Sequence, residues 1–283
     1  MNQPLQQVRS VEAKEGAGVR IRRAIGVSTL PSLDPFLMLD FFDSENASDY
    51  QAGFPDHPHR GFITLTYMLE GRMEHRDSMG HQGVIGPGDA QWMKAASGVI
   101  HSEMPRQIEG RMAGFQLWIN LPAAEKMAPP EYQEYAAADF PVHADGEVTV
   151  KVLAGEFGGV TGPISDSDTH VHYFDGRLAA GRSLALDVPG EHVGFVFVHA
   201  GSVAIGGEPV AFGTLARLGG GPHEVTARGG SAGFIVAHGR PIGEPIVQRG
   251  PFVMNTAAEI HQAVMDYHAG RLVQPVAAGQ LRS

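Results

Sequence analysis

Hydrophobic residues along the chain fall mainly into short runs of β-branched and aromatic side chains, separated by turns that contain glycine and proline. The run from Asp34 to Asp43 predicts a buried strand between acidic turn residues, and residues 61–70 predict a strand that ends before Gly71. Residues 86–89 form a strong turn signal, because glycine and proline favour the backbone angles of tight turns. Short strands at close spacing predict an all-β protein.

This β-rich pattern occurs twice. The first stretch ends near residue 121, and the second extends from about residue 148 to Gly239. In each stretch an apolar strand ends at a glycine, Gly71 in the first and Gly201 in the second. The repetition predicts two antiparallel β-barrels or jelly rolls in tandem, of residues 1–130 and 131–283.

The last stretch of the chain has helical periodicity instead. Thr256 and Glu259 have the spacing of a capping box, in which each side chain bonds the backbone N–H at the other position. The apolar residues that follow share one helical face, namely Ile260, Ala263, Val264 and Tyr267. We therefore expect a helix at about residues 257–269, at the end of the C-terminal domain.

Composition and charge exclude several kinds of function. The net charge is −10 and the chain has 14 His but no Cys. The negative charge argues against nucleic acid as a direct ligand and against an anionic membrane surface. Without cysteine, disulfides, thiolate nucleophiles and Cys-ligated metals are excluded. Because neither a long apolar segment nor a signal peptide is recognisable, we expect a cytoplasmic protein without a membrane span.

The candidate chemistry lies in two pairs of residues in the first half. In an extended segment His57 and His59 point to the same side, and Pro58 between them disfavours a helix. His101 and Glu103 have the same spacing on a later strand. Four such side chains on neighbouring strands can surround one divalent ion, and this donor set suits Fe(II), Mn, Ni, Co or Cu, with Zn less diagnostic.

A histidine pair alone is weak evidence, since about 0.7 such pairs are expected by chance in a chain of this composition. A second pair, His170 and His172, is expected to be a surface or interface pair. When Gly201 is aligned with Gly71, aspartate and proline occupy the positions of the first pair. The C-terminal domain is therefore expected to lack a metal site.

Longer motifs resemble the pirin family of two-domain cupins over essentially the whole chain. The segments that carry this resemblance are 34–40, 57–62, 74–78, 83–93, 98–103, 241–246 and 250–256. The resemblance implies two tandem cupin domains, of which the N-terminal one holds a single metal ion, most simply Fe(II). It implies that the ligands are His57, His59, His101 and Glu103.

The resemblance also implies a function. Pirins with quercetinase activity suggest a dioxygenase that opens a flavonol or a similar polyphenol with O2 and releases CO. Glu103 would then accept the proton of the substrate hydroxyl. The alternative is a metal-dependent regulatory protein that binds a protein partner, such as a transcription factor or a metabolic enzyme. A third option is a storage or isomerase cupin without O2 chemistry.

Further expectations concern the surroundings of the metal. If the strand continues regularly past His59, Ile63 and Leu65 share the ligand face, whereas a bulge would reverse the faces and bring in Phe62 and Thr64. His75 is expected at a solvated strand end or behind a metal ligand. The aromatic residues considered for a pocket wall, or equally for the core, are Phe54, Trp92 and Phe115.

Overall fold

The computed structural model describes residues 5–165 and 168–274, and antiparallel strands make up most of this part of the chain. The strands of the first half are β1 (Gln7–Arg9), β2 (Val11–Glu15), β3 (Val19–Ile25), β4 (Phe36–Ser44), β5 (Phe54–His59), β6 (Phe62–Glu70), β7 (Met73–Asp77), β8 (Gln82–Ile85), β9 (Ala90–Lys94), β10 (Val99–Pro105), β11 (Met112–Asn120) and β12 (Glu131–Tyr135).

The strands of the second half are β13 (Val142–Asp145), β14 (Val148–Ala154), β15 (Glu156–Phe157), β16 (Val160–Thr161), β17 (His172–Leu178), β18 (Ser183–Val188), β19 (Val193–Ala200), β20 (Ser202–Ile205), β21 (Glu208–Ala211), β22 (Thr214–Leu218), β23 (Gly221–Ala227), β24 (Ala232–Gly239), β25 (Val247–Arg249) and β26 (Phe252–Met254). The helix α1 (Ala257–His268) follows. The predicted all-β class with a helix after the second β-rich stretch is confirmed.

Each half contains a seven-stranded and a four-stranded sheet. In the first half the orders are β12-β9-β6-β11-β4-β3-β2 and β5-β10-β7-β8. In the second half they are β1-β22-β19-β24-β17-β14-β13 and β18-β23-β20-β21. The same pair of sheets thus occurs twice, as the repeated sequence pattern predicted.

The core of the second half lies between its two sheets. Val152 and Val196 come from the seven-stranded sheet, Leu186 and Val225 come from the four-stranded sheet, and all four belong to one buried cluster. Each such side chain contributes roughly 1.5–3 kcal/mol when it is removed from water. Alternation of inward apolar and outward polar residues on β18 shows why this segment forms a strand with one face on the core.

The chain forms two compact units, and each unit is made of several separate segments of the sequence. The N-terminal cupin unit consists of residues 14–21, residues 41–134 and the chain from Gly243 onward. The C-terminal cupin unit consists of the chain up to residue 13, residues 22–40 and residues 135–242. This division differs from the single boundary expected after residue 130, because α1 lies in the N-terminal unit rather than with the second half.

Packing within the N-terminal cupin unit explains the place of the helix. Ile260 and Ala263 of α1 are buried in one apolar cluster with Phe252, Met254 and Leu272. The guanidinium of Arg60, which follows β5, donates to the Asp266 carboxylate of α1 at 2.8 Å. Arg60 is almost wholly buried, so this ion pair fixes α1 beside the strand that carries the predicted ligands. In the part of the chain that the structure describes, no helix has the length and apolar character needed to cross a membrane.

The N-terminus of α1 has the predicted capping box. The Thr256 hydroxyl accepts the Glu259 N–H at 3.2 Å, and the Glu259 carboxylate accepts the Thr256 N–H at 2.8 Å. Replacement of Thr256 by alanine removes one of these bonds, and we expect it to lower the free energy of unfolding by about 1 kcal/mol. Urea unfolding would measure this loss. Thr256→Ser keeps the hydroxyl and serves as the control, and an equal loss in both variants would contradict a capping role.

Candidate metal centre

Strand β5 carries the first two predicted ligands. His57 and His59 lie two residues apart on this strand, so their rings point to the same side. His57 is half-buried and His59 is buried. Their Nε2 atoms are 3.0 Å apart. Two nitrogen ligands at right angles, each about 2.1 Å from one ion, have about the same separation.

Strand β10 adds the third imidazole. It pairs antiparallel with β5, and His101 lies directly opposite His57 in this register. The ring centroid of His101 is 4.4 Å from that of His57 and 4.8 Å from that of His59. Each of the three rings places a nitrogen within 4.8 Å of the other two. The structure therefore brings together the three histidines that the sequence suggested.

The electrostatics of this cluster favour a metal ion over protons. Burial lowers the pKa of His59 well below its ordinary value, and the charge of His57 lowers it further. Burial also lowers the pKa of His101, with smaller contributions from His59 and His57. Both rings are therefore neutral at pH 7, which is the form that ligates metals. The buried Nε2 of His101 has no hydrogen-bond partner, so the donor set fits a divalent transition metal.

Glu103 lies near this cluster but is held differently. It is buried two residues beyond His101, and an irregularity in the pairing of β10 with β5 separates the two positions. Its Oε1 accepts a hydrogen bond from the Thr66 hydroxyl at 3.0 Å, and its Oε2 accepts a longer one from Gln116 at 3.5 Å. The group of nitrogens that meet within 4.8 Å does not include this carboxylate. Ligation by Glu103 stays a prediction.

The side chains of β6 that face the cluster are the ones that would point away from it if β5 continued past His59 as a regular strand. Strand β5 ends at His59 and β6 begins at Phe62, so the strand is interrupted at Arg60 and Gly61. The left-handed backbone of Gly61, with φ +91°, reverses the alternation of faces. The Phe62 ring therefore lies 5.0 Å from the His59 ring, and Thr66 reaches Glu103.

The sequence analysis also did not predict which aromatic residues line the site. Trp118 on β11 has its ring 5.2 Å from the His59 ring and 4.2 Å from the Phe62 ring. Its position follows from the pairing of β11 with β6, where Trp118 lies opposite Thr64. Trp92 lies opposite Leu65 and hence on the other face of β6. Sequence reasoning did not find Trp118 because its position depends on the pairing of strands that are far apart along the chain.

Behind the cluster lies a polar network centred on Asp77. His75, which is buried, contacts His101 at 3.4 Å between their Nδ1 atoms. Asp77 Oδ2 lies 3.3 Å from His75 Nε2 and 2.9 Å from His81 Nδ1, and the side chain of Asp77 has no exposed surface. Tyr132 stacks on both His75 and His81. His75 is thus buried behind a candidate ligand. This position agrees with one of the two expectations for it, whereas the other, a solvated strand end, does not fit.

Asp77 also gives a testable pH dependence. Its Oδ1 accepts the N–H groups of Met79 and His81, and hydrogen bonds from His75 and His81 lower its pKa even though burial raises it. A lowered pKa in the folded state stabilises the protein above the pKa of a free aspartate, near 4, and this stabilisation is lost as pH falls through the folded value. We expect Asp77→Asn to reduce the stability of the metal-free protein by about 1–3 kcal/mol at pH 7.

Urea unfolding of both proteins at pH 7 and near pH 3 measures this effect. The difference between them is expected to shrink at the lower pH, where Asp77 itself becomes protonated. A pH-independent difference would contradict the assignment of the stabilisation to the ionised carboxylate. Asp187→Asn, at an exposed carboxylate on β18, is the matched control.

The C-terminal cupin unit contains a second group of histidines that the sequence analysis did not foresee. His172, His192 and His238 each place a ring nitrogen within 4.8 Å of the other two. Of the pair expected at the surface, His170 is exposed, whereas His172 belongs to this group. This unit, which was expected to lack a metal site, thus contains histidines that could hold a metal ion, and the expectation itself stays a prediction. Spacing did not reveal the group because its members come from three separate segments.

Paired seven-stranded and four-stranded sheets that occur twice, with three converging imidazoles that could hold a metal ion in one unit, are typical of the cupin class. Comparison with family models then gives the particular family. The model "Pirin" matches residues 18–119, and the model "Pirin C-terminal cupin domain" matches residues 173–273. The chain belongs to the pirin family.

Full-length relatives agree with this assignment. A pirin-like protein of Caulobacter vibrioides is 47% identical over 269 residues, which cover 94% of this chain and 98% of the relative. Human pirin is 39% identical over 273 residues, covering 92% and 90%. A crystal structure titled quercetin 2,3-dioxygenase from Acinetobacter baumannii superposes with a TM-score of 0.87 at 34% identity, covering 95% of this chain and 97% of that one.

Proposed function

We propose that this pirin is a metal-dependent dioxygenase that opens the central ring of a flavonol with O2. The observation that carries the proposal is a cluster of three converging imidazoles, two of them buried, with aromatic rings and a buried carboxylate nearby. A structural relative that is 34% identical is named quercetin 2,3-dioxygenase, which supports the same substrate class. In the overall reaction both oxygen atoms enter the product, two ring carbon–carbon bonds break, and one carbon leaves as CO.

His57, His59 and His101 would hold the metal ion through their converging nitrogens. When bound, a first-row divalent ion acidifies a coordinated hydroxyl group and assists reaction of the bound substrate with O2. We expect Fe(II), because a set of imidazoles with a carboxylate is common among non-haem iron sites, although Mn, Ni, Co, Cu and Zn are compatible with the same donors. The ligand nitrogens lie on rigid paired strands, which limits the reorganisation needed to bind the ion.

Glu103 would accept the proton that the flavonol hydroxyl loses. Its Oε1 lies 3.0 Å from the Thr66 hydroxyl, whereas Oε2 has only a longer contact, at 3.5 Å, with Gln116. Oε2 is therefore the atom with capacity for a proton or for the metal ion.

Trp118, supported by Phe62, would bind the flat substrate. The half-buried ring of Trp118 packs at 31° on the fully buried ring of Phe62, beside His59. The indole N–H of Trp118 is buried and has no partner, so it can donate to a phenolic or carbonyl oxygen. A planar polyphenol satisfies both features, since it stacks on the rings and offers acceptor oxygens. Exclusion of water by these rings protects the deprotonated substrate.

Quercetin turnover tests the proposal. We expect metal-reconstituted protein to consume O2 and quercetin and to release CO in equal amounts, and we expect chelation to stop this reaction. Elemental analysis of protein purified without added metal identifies the native ion. Anaerobic incubation is the control for reactions that do not use O2.

The outcome also separates the alternatives. Turnover that persists after complete chelation would overturn the proposed mechanism. A metal-loaded protein that binds quercetin without releasing CO would instead favour the regulatory function or cupin chemistry without O2. A cytoplasmic location and binding to a protein partner stay predictions of the family resemblance.

A further inference from the structure

The second histidine group lies at one end of the C-terminal cupin unit. His172 begins β17 and His238 is the penultimate residue of β24, and these residues are directly opposite each other in the antiparallel pair. His192 comes from the turn before β19, which also pairs with β24. Paired strands therefore hold two of the rings, and a short connection holds the third.

One nitrogen–nitrogen distance in this group equals that of the N-terminal cluster. The Nδ1 atoms of His192 and His238 are 3.0 Å apart, the same separation as between the Nε2 atoms of His57 and His59. Without a metal, one of the two Nδ1 atoms must carry a proton and donate it to the other. With a metal, both lone pairs can point to the same ion, since ligands at right angles about 2.1 Å from an ion are separated by about this distance.

Burial keeps these rings uncharged. His192 and His238 are 5% and 4% exposed, whereas His172 is half-buried and leaves a path from solvent. Burial lowers the pKa of all three rings, with a further lowering from the neighbouring histidines, and the pKa of His238 falls to about 3. Glu191 and Glu156 act in the opposite direction on His192 and His172. The three rings are thus uncharged and do not repel a cation.

Two glycines leave the space that the rings occupy. A Cβ at Gly155 would lie 2.4 Å from Cγ and Nδ1 of His172, and a Cβ at Gly194 would lie 2.5 Å from Cβ of His238. His172 Nδ1 also accepts the Glu156 N–H at 3.3 Å, which holds the ring in place. A metal bound through either nitrogen of His172 would displace this bond or shift the ring proton. His172 is therefore the weakest of the three ligands.

We infer that the C-terminal cupin unit binds a second divalent transition metal through Nδ1 of His192, Nδ1 of His238 and one nitrogen of His172. The group consists of imidazoles without a carboxylate, which favours Ni(II), Co(II), Cu(II) or Zn(II) over Mg(II) or Ca(II). This site is independent of the proposed dioxygenase activity, because its ligands belong to the other unit.

Nickel binding to the full metal-free chain tests the inference. Equilibrium dialysis against Ni(II) with elemental analysis is expected to give two equivalents for the wild type. A variant with His57, His59 and His101 all changed to alanine is expected to keep one equivalent. Adding His238→Ala to that variant should reduce binding to the background level, whereas adding His223→Ala, at a half-buried histidine of the same unit that lies outside the group, should leave one equivalent.

Cobalt spectra and folding measurements make the outcome decisive. Co(II) in the remaining site of the triple variant is expected to show d–d absorption from imidazole ligation, and this signal should vanish on His238→Ala or His192→Gln. Circular dichroism of the metal-free proteins shows whether either variant folds, and the folded one is used for the comparison. Less than half an equivalent of Ni(II) in the folded triple variant, or full binding in the folded His238 and His192 variants, would overturn the inference.

Discussion

Replacement of His101 by alanine is expected to reduce metal affinity at the N-terminal cluster and quercetin turnover by at least about 100-fold. His101 lies opposite His57, and its buried Nε2 has no hydrogen-bond partner, so the variant removes one of the three converging nitrogens of the cluster. The binding isotherm would lose its N-terminal component, and the stabilisation of the folded protein by metal at that site would disappear. At 100 times the dissociation constant this stabilisation amounts to about 2.7 kcal/mol.

Ser102→Ala is the matched control for this prediction. Ser102 lies between the candidate ligand and Glu103 on β10, and its side chain points to the opposite face of the strand. We expect this variant to retain metal content, turnover and the thermal shift on metal addition. If His101→Ala kept wild-type metal content and CO release, the three histidines would not be the metal centre.

Replacement of Gly61 by alanine is expected to cost about 2–4 kcal/mol in free energy of unfolding. Gly61 has φ +91°, and a Cβ at this position would lie 1.9 Å from the carbonyl oxygen of Val253. Strain in the left-handed region contributes about 1 kcal/mol, and overlap with backbone atoms contributes about 1–3 kcal/mol more because neither segment can move alone. Lys126 donates to both the Gly61 and the Val253 carbonyls and so holds the two segments together.

Gly80 provides a control with nearly the same backbone angle. Its φ is +93°, but nothing lies within 4 Å of a Cβ at that position. Gly80→Ala therefore measures the backbone strain alone, and we expect it to cost about 1 kcal/mol. Urea unfolding of both metal-free variants gives the difference. Equal losses would show that the close approach of Val253 adds nothing to the loss in free energy of unfolding.

Features determined by local sequence were predicted well. The capping box at Thr256 and the extended His57 to His59 segment depend on neighbours two or three residues away, and both are present in the structure. The repeated sheets followed from the spacing of short apolar runs and turns. These predictions succeeded because the hydrogen bonds and side-chain directions involved depend on backbone geometry within one segment.

Features that depend on pairing between distant segments were not predictable in the same way. The face of β6 toward the metal site depends on the interruption at Gly61, and the contact of Trp118 with His59 depends on the register of β11. The group around His238 combines residues from a strand, a turn and another strand. A single sequence contains no signal for such register, because any alternating strand can pair at several offsets.

The place of α1 has a consequence for how the protein is made. A ribosome releases the residues around His57 and His101 long before Phe252 and α1, although all of them belong to one compact unit. Folding of that unit must wait until more than a hundred later residues have been synthesised, so the usual order in which an earlier domain folds first is disturbed. During this interval the apolar surface destined for Met254 and Ile260 is uncovered. Nascent chains stalled before residue 243 should therefore engage chaperones and fail to retain metal at the first cluster, whereas chains extended past α1 should retain it.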